Sequence, residues 1–207
     1  MSDAAGPDPG SDRHELVLVV LAAGAGSRFD GPDHKLTATI AGEAVIARSV
    51  TAALTAGVGP VVVVTGAATG LPLPASDRLH VVYNPNWQQG QSSSLRVGLE
   101  AAGRLGADAV VVGLGDQPFV SPEAWRLVAA SGAPIAVATY GGRRRNPVRL
   151  HRDVWPLLSA DGDEGARSLI ALRPDLVEEI PCPGSAADID TREDLRTWQS
   201  RSSTSSP

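Results

Sequence analysis

The sequence holds a single cysteine, Cys182, which excludes an intramolecular disulfide and any zinc cluster built on cysteine. No apolar run approaches the roughly 20 residues that a membrane-spanning helix needs. Positive charge is in deficit: 18 Lys plus Arg stand against 23 Asp plus Glu, a net charge of −5. A broad electrostatic grip on nucleic acid or an anionic membrane is therefore not expected, and only a local basic pocket stays open. The opening residues, MSDAAGPDPGSDRHE, carry no basic segment and do not read as a secretory signal. Nucleophilic catalysis finds no Ser/His/Asp triad or Cys/His pair. His34, His80 and His151 lie in unrelated contexts, and His14 sits in the N-terminal arm. What is present is a core: 43% of the 207 residues are hydrophobic and 20% are charged, enough for one sizeable domain. The expectation is a cytoplasmic protein.

Both ends read as disordered arms, residues 1–14 and 199–207, around a single domain spanning 15–198. Between them, short apolar runs rich in β-branched residues recur at Leu16–Leu21, Pro60–Thr65, Leu79–Tyr83, Ala109–Leu114 and Pro134–Ala138. Such runs suit strands buried on both faces of a parallel sheet. Helical spacing fills the intervals. Ala44–Ala56 places Val45, Ser49, Ala52 and Ala56 on one face and stops at Gly57, and Ser92–Leu105 carries Leu95, Leu99 and Ala102. Pro122–Ala130 opens on Ser121 as N-cap with Pro122 at the first helical position. Further on, Arg145–Leu150 and Leu176–Pro181 read as strands, and Glu164–Leu172 and Thr191–Gln199 as helices. Strand–helix alternation of this kind predicts a three-layer α/β fold with right-handed crossovers.

The most informative stretch follows the first strand: Ala22-Ala23-Gly24-Ala25-Gly26-Ser27-Arg28, with Lys35 seven residues later. In open α/β sheets ligands sit beyond the carboxyl ends of strands, where this loop must lie. Small residues let backbone N–H groups approach a phosphate chain. Arg28 can then add a bidentate fork and Lys35 a point charge. The P-loop spacing is absent, and Phe29 stands where a dinucleotide fingerprint needs its third glycine. A second candidate is Asp116, which follows AVVVGLG at the end of a central strand. A carboxylate there is suited to Mg²⁺, which takes one or two protein carboxylates plus phosphate oxygens. Asp190, with Asp188 beside it, is the candidate second ligand, although Asp190 also suits a cap for the last helix.

The pattern LAAG-x-G-x-R followed by Lys resembles the signature of nucleotidyltransferases that activate sugar and cofactor phosphates. Later segments narrow the resemblance to the MobA-like family: Asn84-Pro85-Asn86-Trp87-Gln88-Gln89-Gly90 with Ser92-Ser93-Ser94-Leu95, then Gly115-Asp116-Gln117-Pro118. Tyr140-Gly141-Gly142-Arg143 with Asn146-Pro147-Val148, Gly162–Arg167, and Asp188-Ile189-Asp190-Thr191 complete the set. The branch most similar is molybdopterin cytidylyltransferase. Three departures stand out: Arg28-Phe29-Asp30-Gly31 replaces the usual Arg-Met-Gly, Gln91 replaces Met, and Asn146 replaces His.

The resemblance implies a Rossmann-like nucleotidyltransferase fold with a mostly parallel sheet, Mg²⁺, and transfer of a nucleotidyl group with pyrophosphate release. CTP is the expected donor and a molybdopterin-type phosphate the expected acceptor, with a molybdenum hydroxylase as downstream partner. Arg28, Lys35 and Asp116 are the expected catalytic residues, and Asp116 and Asp190 the metal ligands. Leu21, Ala22, Ala23, Gly24, Gly26, Ser27, Ser92, Ser93 and Ser94 are expected at the nucleotide, with Arg28 and Lys35. Asn84, Gln117, Pro118, Arg143 and Asn146 are expected at the substrate. Trp87, Trp125 and Trp155 are expected to pack rather than stack on a ligand. Three alternatives stay open: a guanylyltransferase, an NAD(P)H-dependent oxidoreductase of the nicotine blue type on the same scaffold, and a non-catalytic cofactor binder.

Overall fold

The computed structural model describes residues 15–30, 34–159 and 164–203. The expected N-terminal arm, Gly31, Gly162, Asp163 and the last four residues lie outside that set. In chain order the elements are β1 (Leu16–Ala22), β2 (Thr39–Ile40), β3 (Glu43–Ala44), α1 (Val45–Ala56), β4 (Val61–Thr65) and β5 (Leu79–Tyr83). They continue with α2 (Gln91–Arg104), β6 (Ala109–Leu114), α3 (Pro122–Ala129), β7 (Ile135–Tyr140) and β8 (Arg143–His151). The chain closes with α4 (Arg167–Leu172), β9 (Val177–Pro181) and α5 (Arg192–Ser203).

Seven strands form one sheet in the order β5-β4-β1-β6-β8-β7-β9. Every pairing is parallel except those of β8, which runs antiparallel to both β6 and β7. The sheet is thus mostly parallel, as the alternation predicts. β1 alternates between two cores. Leu18 and Val20 face the layer of α1, α3 and α5; Val17, Val19 and Leu21 face the layer of α2 and α4. All five are 0–7% exposed, so hydrophobic burial on both faces fixes β1 at the centre of three layers.

Helix ends follow local chemistry. α1 stops at Gly57, whose φ of 72° takes the left-handed conformation that L side chains disfavour. The Ser121 hydroxyl accepts from Ala124 N–H at 3.2 Å, capping α3. Some expectations need correction. Leu79–Tyr83 is an edge strand rather than one buried on both faces: Val81 is 54% and Tyr83 59% exposed. The buried stripe of α1 runs through Ile46, Val50, Ala53 and Leu54 beside Val45 and Ser49, while Ala52 is only half-buried. The final helix continues to Ser203, past the expected stop at Gln199.

The topology decides where a ligand can sit. From β1 the chain moves outward to β4 and β5, then returns across β1 to β6. That reversal opens a crevice at the carboxyl ends of β1 and β6. Gly115 N–H donates to Leu21 O at 2.8 Å there, joining the two strand ends.

Candidate active site

The loop leaving β1 is held by its own turn. Phe29 N–H donates to Gly26 O at 2.9 Å, and Gly26 has φ 64°. A Cβ on Gly26 would crowd His34 Nε2 and Lys35 Cγ at 3.2 Å, and its φ of 64° is the conformation that favours glycine. Phe29, where the dinucleotide fingerprint has glycine, is 6% exposed and anchors the loop in the core. Arg192 stacks over its ring at 5.4 Å and donates to Asp30 O. His34 straps the loop from above. Its Nε2–H donates to Gly24 O at 3.0 Å while Nδ1 accepts from Leu36 N–H at 3.2 Å.

Asp116 follows β6 and is set by backbone contacts. The Ser49 hydroxyl of α1 donates to Gly115 O at 2.9 Å, and Asp116 O accepts from Ile189 N–H at 2.9 Å, drawing the Asp188–Asp190 segment alongside. Asp190 precedes α5. The cap of that helix is a reciprocal Thr191–Asp194 pair: Asp194 Oδ2 accepts from Thr191 N–H at 2.8 Å, and Thr191 Oγ1 accepts from Asp194 N–H at 3.1 Å. The Asp190 side chain is left free of capping.

The charged groups converge. Lys35 Nζ donates to Asp116 Oδ2 at 2.5 Å and to Asp190 Oδ1 at 2.8 Å. Arg28 Nη2 lies 3.0 Å from Asp190 Oδ2. Burial pulls the Lys35 pKa down, but the charges and hydrogen bonds of Asp116 and Asp190 outweigh it and leave the ammonium above its ordinary value. Asp116 Oδ1 is buried without a partner. These four residues line a cavity of about 430 Å³, together with the Ala23–Ser27 loop and Leu21. Its remaining walls are Trp87, Gln88, Gly90, Gln91, Ser94 and Leu114.

Other expected residues fall elsewhere, for reasons of packing. Ala22 points into the core, because alternation along β1 turns it away from its neighbours Leu21 and Ala23. Asn84 is 0% exposed and stands behind the cavity wall. Its Nδ2 donates to Ser93 Oγ at 2.9 Å and Ser94 Oγ at 3.0 Å, and its Oδ1 accepts from Asn86 N–H at 2.9 Å. Ser92 and Ser93 are likewise buried, and Ser93 donates to Gly90 O at 2.8 Å; only Ser94 of the three lines the cavity. Pro118 is buried toward α1, in a separate hollow with Phe119 and Arg48. Gln117 is 3% exposed and ties two neighbours together: Nε2 donates to Asp188 Oδ1 at 2.7 Å, and Oε1 accepts from Asn146 Nδ2 at 3.2 Å. Arg143 lines a second hollow of about 210 Å³ with Arg145, Tyr140 and Asp188.

Several wall residues escaped the sequence reading. Ala25 sits inside the motif, and Trp87, expected only to pack, was within sight. Gln88 reads only as part of the Asn84–Gly90 motif and Leu114 only as a strand end; Ser49, which supports Asp116 from behind the wall through Gly115, reads only as a member of a helix face.

A glycine-lined crevice at the β1/β6 switch point, with two cations facing two carboxylates, defines an α/β protein with a charged cleft at the carboxyl ends of its strands, where open α/β sheets take ligands. Comparison with known proteins agrees. The MobA-like NTP transferase domain matches residues 18–179, and the chain belongs to that family. It is similar to the purine catabolism protein PucB of Bacillus subtilis, 32% identical over 196 residues that span 86% of this chain and 93% of that one. Among solved structures, Rv0371c of Mycobacterium tuberculosis superposes with a TM-score of 0.77 at 27% identity, covering 90% of this chain and 98% of that one; Rv0371c is also known as a manganese complex. A nucleotidyl transferase of Methanothermobacter thermautotroptrophicus gives 0.75 at 26%, covering 93% and 99%. No helix among the described residues is long and apolar enough to cross a membrane.

Proposed function

We propose that this chain transfers a nucleotidyl group, CMP from CTP, to a phosphate-bearing molybdopterin-type acceptor, using Mg²⁺ and releasing pyrophosphate. One observation carries the reading: Arg28 and Lys35, from the first loop, meet Asp116, just after β6, and Asp190, just before α5, in one cavity. The donor set fits Mg²⁺. It offers carboxylate oxygens alone, one of them the buried and unpartnered Asp116 Oδ1. Mg²⁺ takes one or two protein carboxylates and completes its shell with phosphate and water. That Rv0371c is known as a manganese complex supports a divalent ion in a protein of this fold. Asp116 and Asp190 would hold Mg²⁺, which would supply charge neutralisation for the phosphate oxygens.

The chain's own residues do the rest. Backbone N–H groups of the Ala23–Ser27 loop cradle the phosphates, and Arg28 and Lys35 neutralise the β and γ end. Ser94 and the first turn of α2 face the ribose and base. Arg143 and Arg145 hold the anionic end of the acceptor in the second hollow, while Gln117 and Asn146 position the strip between the two hollows. The acceptor phosphate oxygen bonds to the α-phosphorus as the bond from that phosphorus to the bridging oxygen breaks, and the electron pair leaves with pyrophosphate. A phosphate monoester, with its second pKa near ~6, is already anionic at neutral pH and needs no strong general base. The product passes to a molybdenum hydroxylase.

The test is a pyrophosphate-release assay with the full chain, Mg²⁺ and molybdopterin, comparing CTP, GTP and ATP. Turnover with CTP is expected. Turnover with GTP alone would move the chain to guanylyl transfer. Metal-independent NADPH oxidation without pyrophosphate release would overturn the proposal in favour of a reductase.

A further inference from the structure

Lys35 occupies an unusual position for its kind. It is the only lysine in the chain, against 17 arginines. An ammonium is a compact point charge with three donors, whereas a guanidinium is a planar fork. The compact group occupies the space between two carboxylates much as a small ion does, and Lys35 does so. Nζ stands 2.5 Å from Asp116 and 2.8 Å from Asp190, and its side chain is 13% exposed. With the largely exposed Arg28 on the other Asp190 oxygen at 3.0 Å, two positive charges balance two negative ones at the cavity.

A divalent cation bridging the same carboxylates needs oxygens at ~2.0–2.1 Å. The point between them cannot hold that ion and the ammonium together, since two like charges would stand almost in contact. We propose that Lys35 is a resident, displaceable cation: a divalent ion enters the Asp116–Asp190 pair only by expelling the ammonium, which then turns toward the phosphate loop. This rests on the reading of the cavity as a metal-dependent phosphate site and adds an order to its filling. It also gives the lysine two duties. Before the metal enters, it offsets the mutual repulsion of Asp116 and Asp190, which would otherwise oppose the closure of this end of the molecule. Afterwards it is free to meet the phosphates, so metal entry and phosphate capture are coupled through one side chain.

The test uses the full chain without nucleotide. Mn²⁺ alone is titrated into the wild type and Lys35→Met, with binding followed by electron paramagnetic resonance. Removing a competing charge from the site should tighten Mn²⁺ binding roughly tenfold or more. Equal or weaker binding in the variant, or no binding in either protein, overturns the proposal. Because Lys35→Met leaves Asp116 without its cationic partner and Asp190 with Arg28 alone, which can impair folding, a wild-type measurement stands beside it. An amine-reactive ester can label only Lys35 and the N-terminal amine, and the two are separated by peptide mass. Mn²⁺ should accelerate Lys35 acylation several-fold relative to the N-terminus, whereas an unchanged or slower rate overturns the proposal. Tighter Mn²⁺ binding without CTP turnover would leave this inference standing and remove the nucleotide assignment. CTP turnover with unchanged Mn²⁺ binding would do the reverse.

Discussion

Gly66, just beyond β4, offers a sharp test of how the cavity is supported. A Cβ at this position would lie 2.6 Å from Ala23 O, 2.8 Å from Ala23 Cβ and 2.8 Å from Trp87 Cβ. All three are backbone or Cβ atoms, which cannot rotate out of the way. Gly66→Ala must therefore push the end of β1 away from the Trp87 turn, and overpacking of this kind costs about 1–3 kcal/mol. The substitution also removes freedom from the unfolded chain, which offsets about 0.4–1 kcal/mol. Overpacking wins, for a net loss on the order of 1–2 kcal/mol, or a melting temperature lower by roughly 2–8 °C for a chain of this size. Urea denaturation gives the stability change, and nucleotide titration reports the displaced cavity wall, where weaker binding is expected. Gly24→Ala is the control. Gly24 belongs to the sequence signature, yet a Cβ there meets nothing within 4 Å, so stability should hold while the methyl group hinders the phosphates. If Gly66→Ala is as stable as the wild type, or Gly24→Ala is the less stable of the two, the packing argument is wrong.

Asp116→Asn should reduce turnover roughly 10²–10³-fold, with a smaller change in nucleotide KM; single-turnover pyrophosphate release measures it, and near-wild-type turnover would remove Asp116 from the chemistry. Asn84→Ala removes the amide that holds Ser93, Ser94 and Asn86 N–H and should cost about 2–4 kcal/mol, read from the urea midpoint. Asp188 carries a pH signature. Burial raises its pKa, and the charges of Asp116 and Asp190 add to this, against the opposing Gln117 hydrogen bond. The folded state thus keeps a proton that the unfolded chain has already released, so this residue makes stability fall as pH rises from about 4 toward its folded pKa, after which the penalty stays constant. Asp188→Asn should flatten that flank and be at least as stable at neutral pH, and a variant whose urea midpoints track the wild type between pH 4 and 7 would contradict this.

Much of the fold was legible because its signals are local. LVLVVL and AVVVGL are uninterrupted apolar runs, and only strands covered on both faces need such runs. Gly57, Ser121 and Pro122 stop or start helices through backbone and side-chain chemistry that neighbours do not alter. LHVVY carries the same signal, yet β5 lies at the sheet edge, because strand order depends on pairings between distant segments. The same distinction divides the site. Gly24, Gly26, Arg28 and Asp116 stand out by their position relative to a strand end. Asn84 and Ser93 bear polar groups equally suited to a ligand, and only the path of the loop before α2 turned them inward to satisfy one another. Ser49 read as one member of a helical stripe, because its hydrogen bond to Gly115 spans 66 residues.

By itself the sequence determined the kind of molecule this is: buried strands alternating with helices, a small-residue loop with two cations, and carboxylates without a nucleophile. The tertiary structure alone decided that Lys35 lies between Asp116 and Asp190, 81 and 155 residues away. Attraction between opposite charges acts over a few ångströms of space and is indifferent to distance along the chain. The reversal of strand order beside β1 is what brought those groups within its reach.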